Sequence, residues 1–174
     1  MNKIMNNIIY IGIDNGLSGA IAFLSGNETI AIDMPIITIK KGKKTKREYD
    51  LHTICKIIDN KTIEAGNNDT FVFATIEQAQ AYPKQGGVSN YTTGYCFGLM
   101  NGLLVGMDIP LQTVHPRIWQ KEFFKGQAGE TKKLSYRVAS ALFPKVELMT
   151  PRGRKLDGRA DALLLAEYGR RVHT

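Results

Sequence analysis

Four carboxylates stand at positions where folding brings acidic side chains together. Asp14 and Glu77 each end an apolar, β-branched run that predicts a buried strand. Asp157 and Asp161 are four residues apart at the start of a helical pattern, so they share one helix face. Clustered carboxylate oxygens suit two divalent cations about 3.5–4 Å apart, one activating water and one stabilising the leaving oxygen of a phosphodiester. The four residues therefore predict a two-metal hydrolytic site without histidine.

Each carboxylate also has a structural interpretation. Asp14 precedes Asn15-Gly16, a strong turn signal, and Asp often begins a turn. Acidic residues are common in the first turn of a helix, which explains Asp157 better than Asp161. Convergence of the four side chains on one place decides between the two interpretations.

The elements that position these carboxylates follow from apolar periodicity. Strands are predicted over 8–14, 19–25, 29–34, 71–76 and 111–114. Helices are predicted over 51–64, 91–107, 131–143 and from Leu156 to the C-terminus. The first three strands are joined by short turns, which predicts an antiparallel meander. The pattern as a whole predicts an α/β fold.

Four glycines recur at every fourth position of the predicted helix over 91–107, at Gly94, Gly98, Gly102 and Gly106. Each glycine weakens a helix by about 1 kcal/mol relative to Ala, so packing must compensate. The stripe predicts close approach of another backbone, either the sheet or a helix of the same fold. A dimer interface is the alternative.

Two segments are strongly basic. Residues 40–47 carry six cations, Lys40, Lys41, Lys43, Lys44, Lys46 and Arg47, and a later segment carries Arg152, Arg154 and Lys155. With the formal charge of +7, these segments favour a nucleic-acid partner. We interpret residues 36–49 as a basic loop that lies along a phosphate backbone, and a solvated surface loop is the alternative.

Composition restricts the class of protein. The 174 residues predict a single domain over 1–174. No apolar run approaches the ~20 residues of a membrane span, and the N-terminal residues lack a signal-peptide pattern. Cys55 and Cys96 are expected to be free thiols in predicted helices, as in a reducing compartment. These features predict a cytoplasmic protein without a membrane partner.

Residues 12–16, 75–78 and 159–163, which read GIDNG, TIEQ and RADAL, resemble the three signatures of RuvC-type Holliday-junction resolvases. The segment 126–142, in which a lysine opens a helix, is also similar to that family. The resemblance spans nearly the whole chain. It implies a ribonuclease H-like fold, with a mixed five-stranded sheet of three antiparallel and then two parallel strands, flanked by helices.

The resemblance also implies site residues. The implied metal ligands are Asp14, Glu77, Asp161 and, as the fourth, Asp157, holding two Mg²⁺ ions for which Mn²⁺ can substitute. Lys132 or Lys133 matches the family's active-site lysine, which stabilises a charged transition state. Both lysines lie in the first turn of a helix, where cations oppose the dipole, and a solvated position is the alternative.

Three features depart from the family pattern. The last two acids are four residues apart rather than three, with Gly158 between them. Gln80 stands where bacterial members carry a base-stacking aromatic. Tyr82 is the candidate substitute, and loss of stacking and of cleavage-sequence preference is the alternative. Lys84 of the same loop is a further predicted DNA contact. The long arm over 40–47 is more similar to phage or viral members, which implies the host-cell cytoplasm.

The function implied is that of a homodimeric, divalent-metal-dependent endonuclease that resolves Holliday junctions and other branched DNA by paired nicks. A nuclease for RNA–DNA hybrids or replication forks is one alternative. A junction-binding protein without catalysis is another.

Overall fold

The computed structural model describes residues 8–26, 28–42, 44–66 and 71–173. Within these residues the chain runs β1 (Ile8–Asp14), β2 (Ala20–Ser25), β3 (Glu28–Asp33), β4 (Ile36–Lys41), β5 (Lys44–Tyr49), α1 (Leu51–Gly66), β6 (Phe71–Glu77), α2 (Gly87–Gly106), β7 (Leu111–Val114), α3 (Pro116–Phe124), α4 (Thr131–Leu142) and α5 (Asp157–His173).

Five of these strands form one mixed sheet in the order β3-β2-β1-β6-β7. Strands β1, β2 and β3 pair antiparallel, whereas β6 and β7 run parallel to β1. In the parallel register Ile13 lies beside Ile76, so β1 and β6 end side by side. The sheet confirms the predicted α/β fold class, with three antiparallel strands followed by two parallel ones between helices.

Alternating side chains of β1 divide the interior into two hydrophobic cores. Ile11 and Ile13 pack with Ile54 of α1 and Met100 of α2 on one side of the sheet. Tyr10, on the opposite side of the strand, packs in a second core with residues of α3, α4 and α5. The sheet is therefore the middle of three layers, and β1 is buried on both faces.

Helix α5 crosses β1 at very short range. A Cβ atom on Gly12 would lie 1.9 Å from the backbone oxygen of Ala162. A Cβ atom on Gly158 would lie 2.8 Å from the Cα atom of Gly19 in the β1–β2 turn. Glycine is therefore required on both sides of the contact, and the start of α5 is held against the turn that follows Asp14.

The prediction of a basic loop over 36–49 is wrong, because β4 and β5 form a separate two-stranded antiparallel sheet there. Residues 36–39 are all β-branched and favour extended backbone. The prediction gave more weight to the cations of the segment than to these residues. Gly42 lies between the two strands with a φ of 59°.

Two helical regions also differ from the predictions. Helix α2 begins at Gly87, so the polar loop before it is four residues shorter than expected. Helix α3 was not predicted; its first residue is a proline, and the side chain of His115 caps it by accepting from the Arg117 N–H. His115 therefore has a structural role.

The glycine stripe of α2 does not pack inside the described fold. No atom lies within 4 Å of the Cβ position of Gly94, Gly98, Gly102 or Gly106, and all four are exposed. The buried face of α2 carries Cys96, Met100 and Leu104 instead. The expectation that the stripe contacts the sheet or another helix of this fold is wrong.

Both cysteines are free thiols, in α1 and α2 as predicted. Among the described residues, no helix combines the length and hydrophobicity that crossing a membrane requires.

Candidate active site

Three of the four predicted carboxylates converge at one edge of the sheet. Asp14 and Glu77 end the adjacent parallel strands β1 and β6. Asp161 lies one turn into α5, which packs across these strands, and the charges of Asp14 and Glu77 both act on it. The carboxyl ends of parallel strands meet at one edge of a sheet, which is why residues 63 positions apart become neighbours.

Burial and mutual repulsion oppose ionisation of these carboxyl groups. Burial raises the pKa of Asp161 to about 7, and the charges of Asp14, Glu77 and Asp157 add to the increase. Burial also raises the pKa of Asp14, although the Gly16 N–H and the charge of Lys132 partly offset that effect. Grouped acids with raised pKa values are typical of sites that bind cations or transfer protons.

Glu77 has a partner that the sequence analysis missed. The indole Nε1 of Trp119 in α3 donates a hydrogen bond of 2.8 Å to Glu77 Oε2. Burial raises the pKa of Glu77, the Trp119 bond lowers it, and the charge of Asp14 raises it further. Trp119 is fully buried, and a buried indole needs an acceptor, so the single tryptophan of the chain was the available signal.

Ser135 of α4 is a second residue that the sequence analysis missed. It is fully buried and lies close enough to Asp161 to favour the charged form of that carboxylate. Among the described residues, however, neither Ser135 Oγ nor Asp161 Oδ1 has a hydrogen bond of normal geometry. Asp161 therefore presents a buried oxygen without a partner, which is a costly arrangement unless a ligand satisfies it.

The structure separates the two candidate lysines. Lys132 Nζ lies 4.0 Å from Asp157 Oδ2, and its charge also reaches Asp14. Lys133 Nζ lies 3.0 Å from Glu130 Oε2. Adjacent helical positions differ by about 100° around the axis, so only Lys132 faces the acidic group.

A cleft of about 660 Å³ opens beside these residues. Its acidic lining includes Asp14, Asp157 and Asp161, and its cationic lining is formed by Arg47, Lys132, Arg154 and Lys155. Glu77 is not part of the lining, and its carboxylate accepts the hydrogen bond from the buried Trp119. The lining of the cleft therefore combines carboxylates with cations.

The donor chemistry of this site fits divalent cations. Carboxylate oxygens are the ligands that Mg²⁺ and Mn²⁺ prefer, and the unpartnered oxygen of Asp161 is available for such a contact. Among the described residues, no three acidic, histidine or cysteine side chains are already close enough to hold one ion. Asp14, Glu77, Asp157 and Asp161 are thus candidate ligands, and they are not gathered around a single point.

The predicted DNA contacts fall into three groups. Arg47, Arg154 and Lys155 line the cleft, and Lys155 Nζ also lies 4.4 Å from the ring centroid of Tyr136. Exposed side chains outside the cleft are those of Lys40, Lys44, Lys46, Tyr82, Lys84 and Arg152. Lys43 and the side chain of Lys41 lie outside the described residues.

The loop that carries Tyr82 is held by Asn90. The Asn90 side chain accepts a hydrogen bond from the Tyr82 N–H and donates to the Tyr82 and Gln85 carbonyls. Tyr82 and Lys84 therefore occupy an ordered position between β6 and α2, away from the cleft lining.

No family model matches the sequence. The chain is 33% identical over 98 residues to the chloroplastic Holliday junction resolvase MOC1 of Chlamydomonas reinhardtii, a match that covers 56% of this chain and 11% of that protein. The chain thus spans about a tenth of the length of this curated relative.

Two solved structures from Thermus thermophilus are similar over nearly their whole length. RuvC has a TM-score of 0.45 at 15% identity, covering 95% of this chain and 96% of that chain. RuvC in complex with a Holliday junction substrate has a TM-score of 0.48 at 12% identity, covering 94% of each chain.

Proposed function

We propose that this chain is a divalent-metal-dependent, structure-selective endonuclease that resolves Holliday junctions and other branched DNA by paired nicks. The observation that carries the proposal is the convergence of Asp14, Glu77 and Asp161 beside a cation-lined cleft. The local similarity to a Holliday junction resolvase supports the choice of branched DNA as the substrate.

In the proposed mechanism Asp14, Glu77, Asp157 and Asp161 would hold two divalent cations, with Mg²⁺ as our choice and Mn²⁺ as a substitute. Such a pair supplies Lewis-acid stabilisation of the reacting phosphate. The buried Trp119 N–H fixes the orientation of Glu77, because an indole in the core cannot easily move.

Lys132 is our choice for the active-site lysine. Its ammonium group is near both Asp157 and Asp14 and lines the cleft, so it can stabilise negative charge that develops on a phosphate there. Lys133 is engaged by Glu130 instead.

The basic residues supply attraction to the DNA backbone that does not depend on sequence. Lys40, Lys44, Lys46, Tyr82, Lys84 and Arg152 lie outside the cleft as peripheral contacts. From the resemblance of the segment 40–47 to phage or viral members, we also propose a phage- or virus-type enzyme that acts in the host-cell cytoplasm. Binding is expected to weaken steeply with salt, because each neutralised phosphate releases counterions.

Paired nicks in a four-way junction require two matched sites, which a two-fold dimer supplies. The surface we assign to the dimer is the exposed face of α2. This 20-residue helix carries no charged residue in a chain of net charge +7. An uncharged helix face is self-complementary, whereas most of the remaining surface of a basic protein repels a second copy.

The spacing on this α2 face matches a helix-pair seam. Val88, Tyr91, Tyr95 and Val105 are between 54% and 83% exposed. Together with Gly98 and Gly102 they recur at alternating intervals of three and four residues. Because the glycines leave the backbone uncovered, a second α2 helix can approach closely.

One observation favours a second candidate, a junction-binding protein without catalysis. No three potential ligands among the described residues are already gathered around one point. In this alternative the acidic group would be structural, and the cations of the cleft and hairpin would carry all of the function.

A cleavage assay on a synthetic four-way junction with Mg²⁺ separates the candidates. The proteins are wild type, Asp14→Asn, Glu77→Gln and, as a matched control, Asp59→Asn at an exposed position of α1. Paired nicks are expected from wild type and the control, with a loss of about 100-fold or more in the two site variants at unchanged junction binding.

Three results would contradict parts of the proposal. Cleavage by the site variants at the wild-type rate would show that these carboxylates are not the ligands. Binding without cleavage by wild type in both Mg²⁺ and Mn²⁺ would establish the non-catalytic alternative. Faster cleavage of a fork or an RNA–DNA hybrid than of the junction would change the substrate class.

A further inference from the structure

The two faces of the β4–β5 hairpin differ in their surroundings. Thr38 pairs with Arg47, and Ile36 pairs with Tyr49, so these side chains share one face of the hairpin. Ile36 and Arg47 both line the catalytic cleft. The sequence alone left the hairpin cations equivalent, but the structure distinguishes them. Arg47 lines the cleft, whereas Lys40, which pairs with Thr45 on the same face, lies nearer the tip of the hairpin and is not part of the lining.

Lys46 lies on the opposite face, with Lys44. Its Nζ atom is 2.7 Å from Glu48 Oε1. The hydrogen bond and charge of Glu48 raise the pKa of Lys46, and Tyr95 and Tyr91 of α2 add to the increase. Lys46 thus points towards α2 and away from the cleft.

The base of the hairpin is fastened to the turn beside Asp14. The buried Tyr49 donates a hydrogen bond from its hydroxyl to the Asn15 carbonyl, the first residue after β1. A backbone bond from the Met34 N–H to the Gly19 carbonyl, at 2.9 Å, adds to the attachment, and one from the Asp50 N–H to the Pro35 carbonyl, at 3.0 Å, closes the base of the hairpin. The hairpin therefore has a defined position relative to the acidic group.

Arg47 is two residues from this anchor and has no side-chain hydrogen bond or ion pair to any residue that the structure describes. Its guanidinium stands in a cleft that also contains carboxylates, yet it is not engaged by them. A planar guanidinium with free donors is suited to two parallel hydrogen bonds with a phosphate. The cleft volume is also within the range of sites that enclose a ligand group.

We propose that Arg47 binds one particular phosphate of the DNA strand that enters the catalytic cleft and positions that strand for cleavage. Lys44 and Lys46 then provide only general attraction to DNA. The identity of the DNA in this inference rests on the proposed function. The inference adds that Arg47 makes a specific contact that the other hairpin cations do not make.

The test is a double-mutant cycle measured by binding in a chelating buffer, where cleavage does not interfere. Arg47→Gln is compared with Lys46→Gln, a matched change on the other face of the same hairpin. Each is titrated with junctions that carry one neutral methylphosphonate at a time along the strands next to the branch point. Arg47→Gln is expected to lose about 10-fold in affinity for the unmodified junction, and this loss should disappear when one particular phosphate is neutral.

Lys46→Gln is expected to lose about 2- to 3-fold in affinity for the junction, and this loss should be the same at whichever position the neutral methylphosphonate stands. With Mg²⁺ and saturating protein, Arg47→Gln should also reduce the single-turnover cleavage rate, whereas Asp59→Asn at the exposed position of α1 should not. An Arg47→Gln loss that persists on every modified junction would overturn the inference. Failure of wild type to cleave would instead overturn the proposed function, and the binding cycle would still decide whether Arg47 contacts one phosphate.

Discussion

Helices α5 and α2 both carry glycines, but the two helices use them in opposite ways. At α5, glycine allows two backbones to meet, since a Cβ on Gly158 would lie 2.8 Å from Gly19 Cα and a Cβ on Gly169 would lie 2.4 Å from Thr75 Oγ1. At α2, the regular stripe that includes Gly98 and Gly102 contacts no atom within 4 Å of the Cβ positions.

The difference shows that a regular pattern of small residues does not by itself indicate an internal contact. The irregular glycines of α5, β1 and the β1–β2 turn place the acidic end of α5 beside Asp14, so the geometry of the candidate site depends on them. The regular glycines of α2 leave a helix face open, which is the reason for assigning that face to a second copy.

The largest expected effect is at the α5 contact. Gly12→Ala would place a methyl group 1.9 Å from the Ala162 carbonyl oxygen and 2.3 Å from the Ala166 N atom, so the helix must shift away from β1. We expect the free energy of unfolding to fall by about 3 kcal/mol, measured by urea denaturation. A loss no larger than that of an exposed surface substitution would contradict the close contact.

An intermediate effect is expected for the pH dependence of stability that arises from Asp161 of α5. The pKa of Asp161 is about 7 in the folded protein against an ordinary value of 3.8 for an exposed aspartate, so between these values the folded protein holds a proton that the unfolded chain has released. The free energy of unfolding should therefore fall as pH rises from about 4 to about 7. A shift of this size corresponds to about 4 kcal/mol, and the partial solvent exposure of Asp161 reduces the expected change to on the order of 2 kcal/mol.

Asp161→Asn removes the contribution of Asp161 to this dependence, because the amide does not titrate, whereas the raised pKa values of Asp14 and Glu77 retain part of it. In a chelating buffer the variant should gain stability relative to wild type as pH rises through this range, as measured by urea titrations at pH 4.5, 6 and 7.5. Asp59→Asn on the exposed face of α1 is the control for a surface change of the same type. Parallel curves for wild type and Asp161→Asn would show that Asp161 is not the source of the pH dependence.

The smallest expected effect is at α2, where the substitution should raise the stability of the folded monomer rather than lower it. Gly98→Ala adds a methyl group in open space within a helix, so the monomer should gain up to about 1 kcal/mol in free energy of unfolding. The same methyl group should weaken association of two α2 helices by a few-fold, because it holds the backbones apart. Sedimentation equilibrium measures the association, and chemical denaturation at low protein concentration measures the stability.

A decrease in monomer stability would show that α2 packs differently from the structure. If the wild-type protein forms a dimer and Gly98→Ala associates as strongly as wild type, Gly98 is not part of the dimer interface. Together, the Gly12→Ala and Gly98→Ala results test whether the same change of residue has opposite effects at the two helices.

Local signals in the sequence were sufficient for much of the fold. The buried strands that end at Asp14 and Glu77 were predicted because they combine β-branched residues with a final polar group, and the structure confirms both ends. The hairpin over 36–49 was predicted as a loop because its six cations were given more weight than its β-branched residues. Helix α3 was missed because it has only nine residues.

The candidate site was predictable only in part, because contacts distant in sequence complete it. The bond between Trp119 and Glu77 joins residues 42 positions apart. The sequence also left Lys132 and Lys133 equivalent, whereas the position of α4 beside α5 directs Lys132 towards Asp157 and leaves Lys133 with Glu130.

The sequence by itself determined which side chains are available for chemistry and on which elements they lie, because hydrophobic periodicity and turn residues act locally. Tertiary structure decided which of these side chains meet, because that depends on the register of β1 with β6 and on how closely α5 approaches the sheet. It also decided that Arg47 alone among the described hairpin cations lines the cleft, because strand pairing places Lys44 and Lys46 on the other face, and Lys40 lies nearer the hairpin tip.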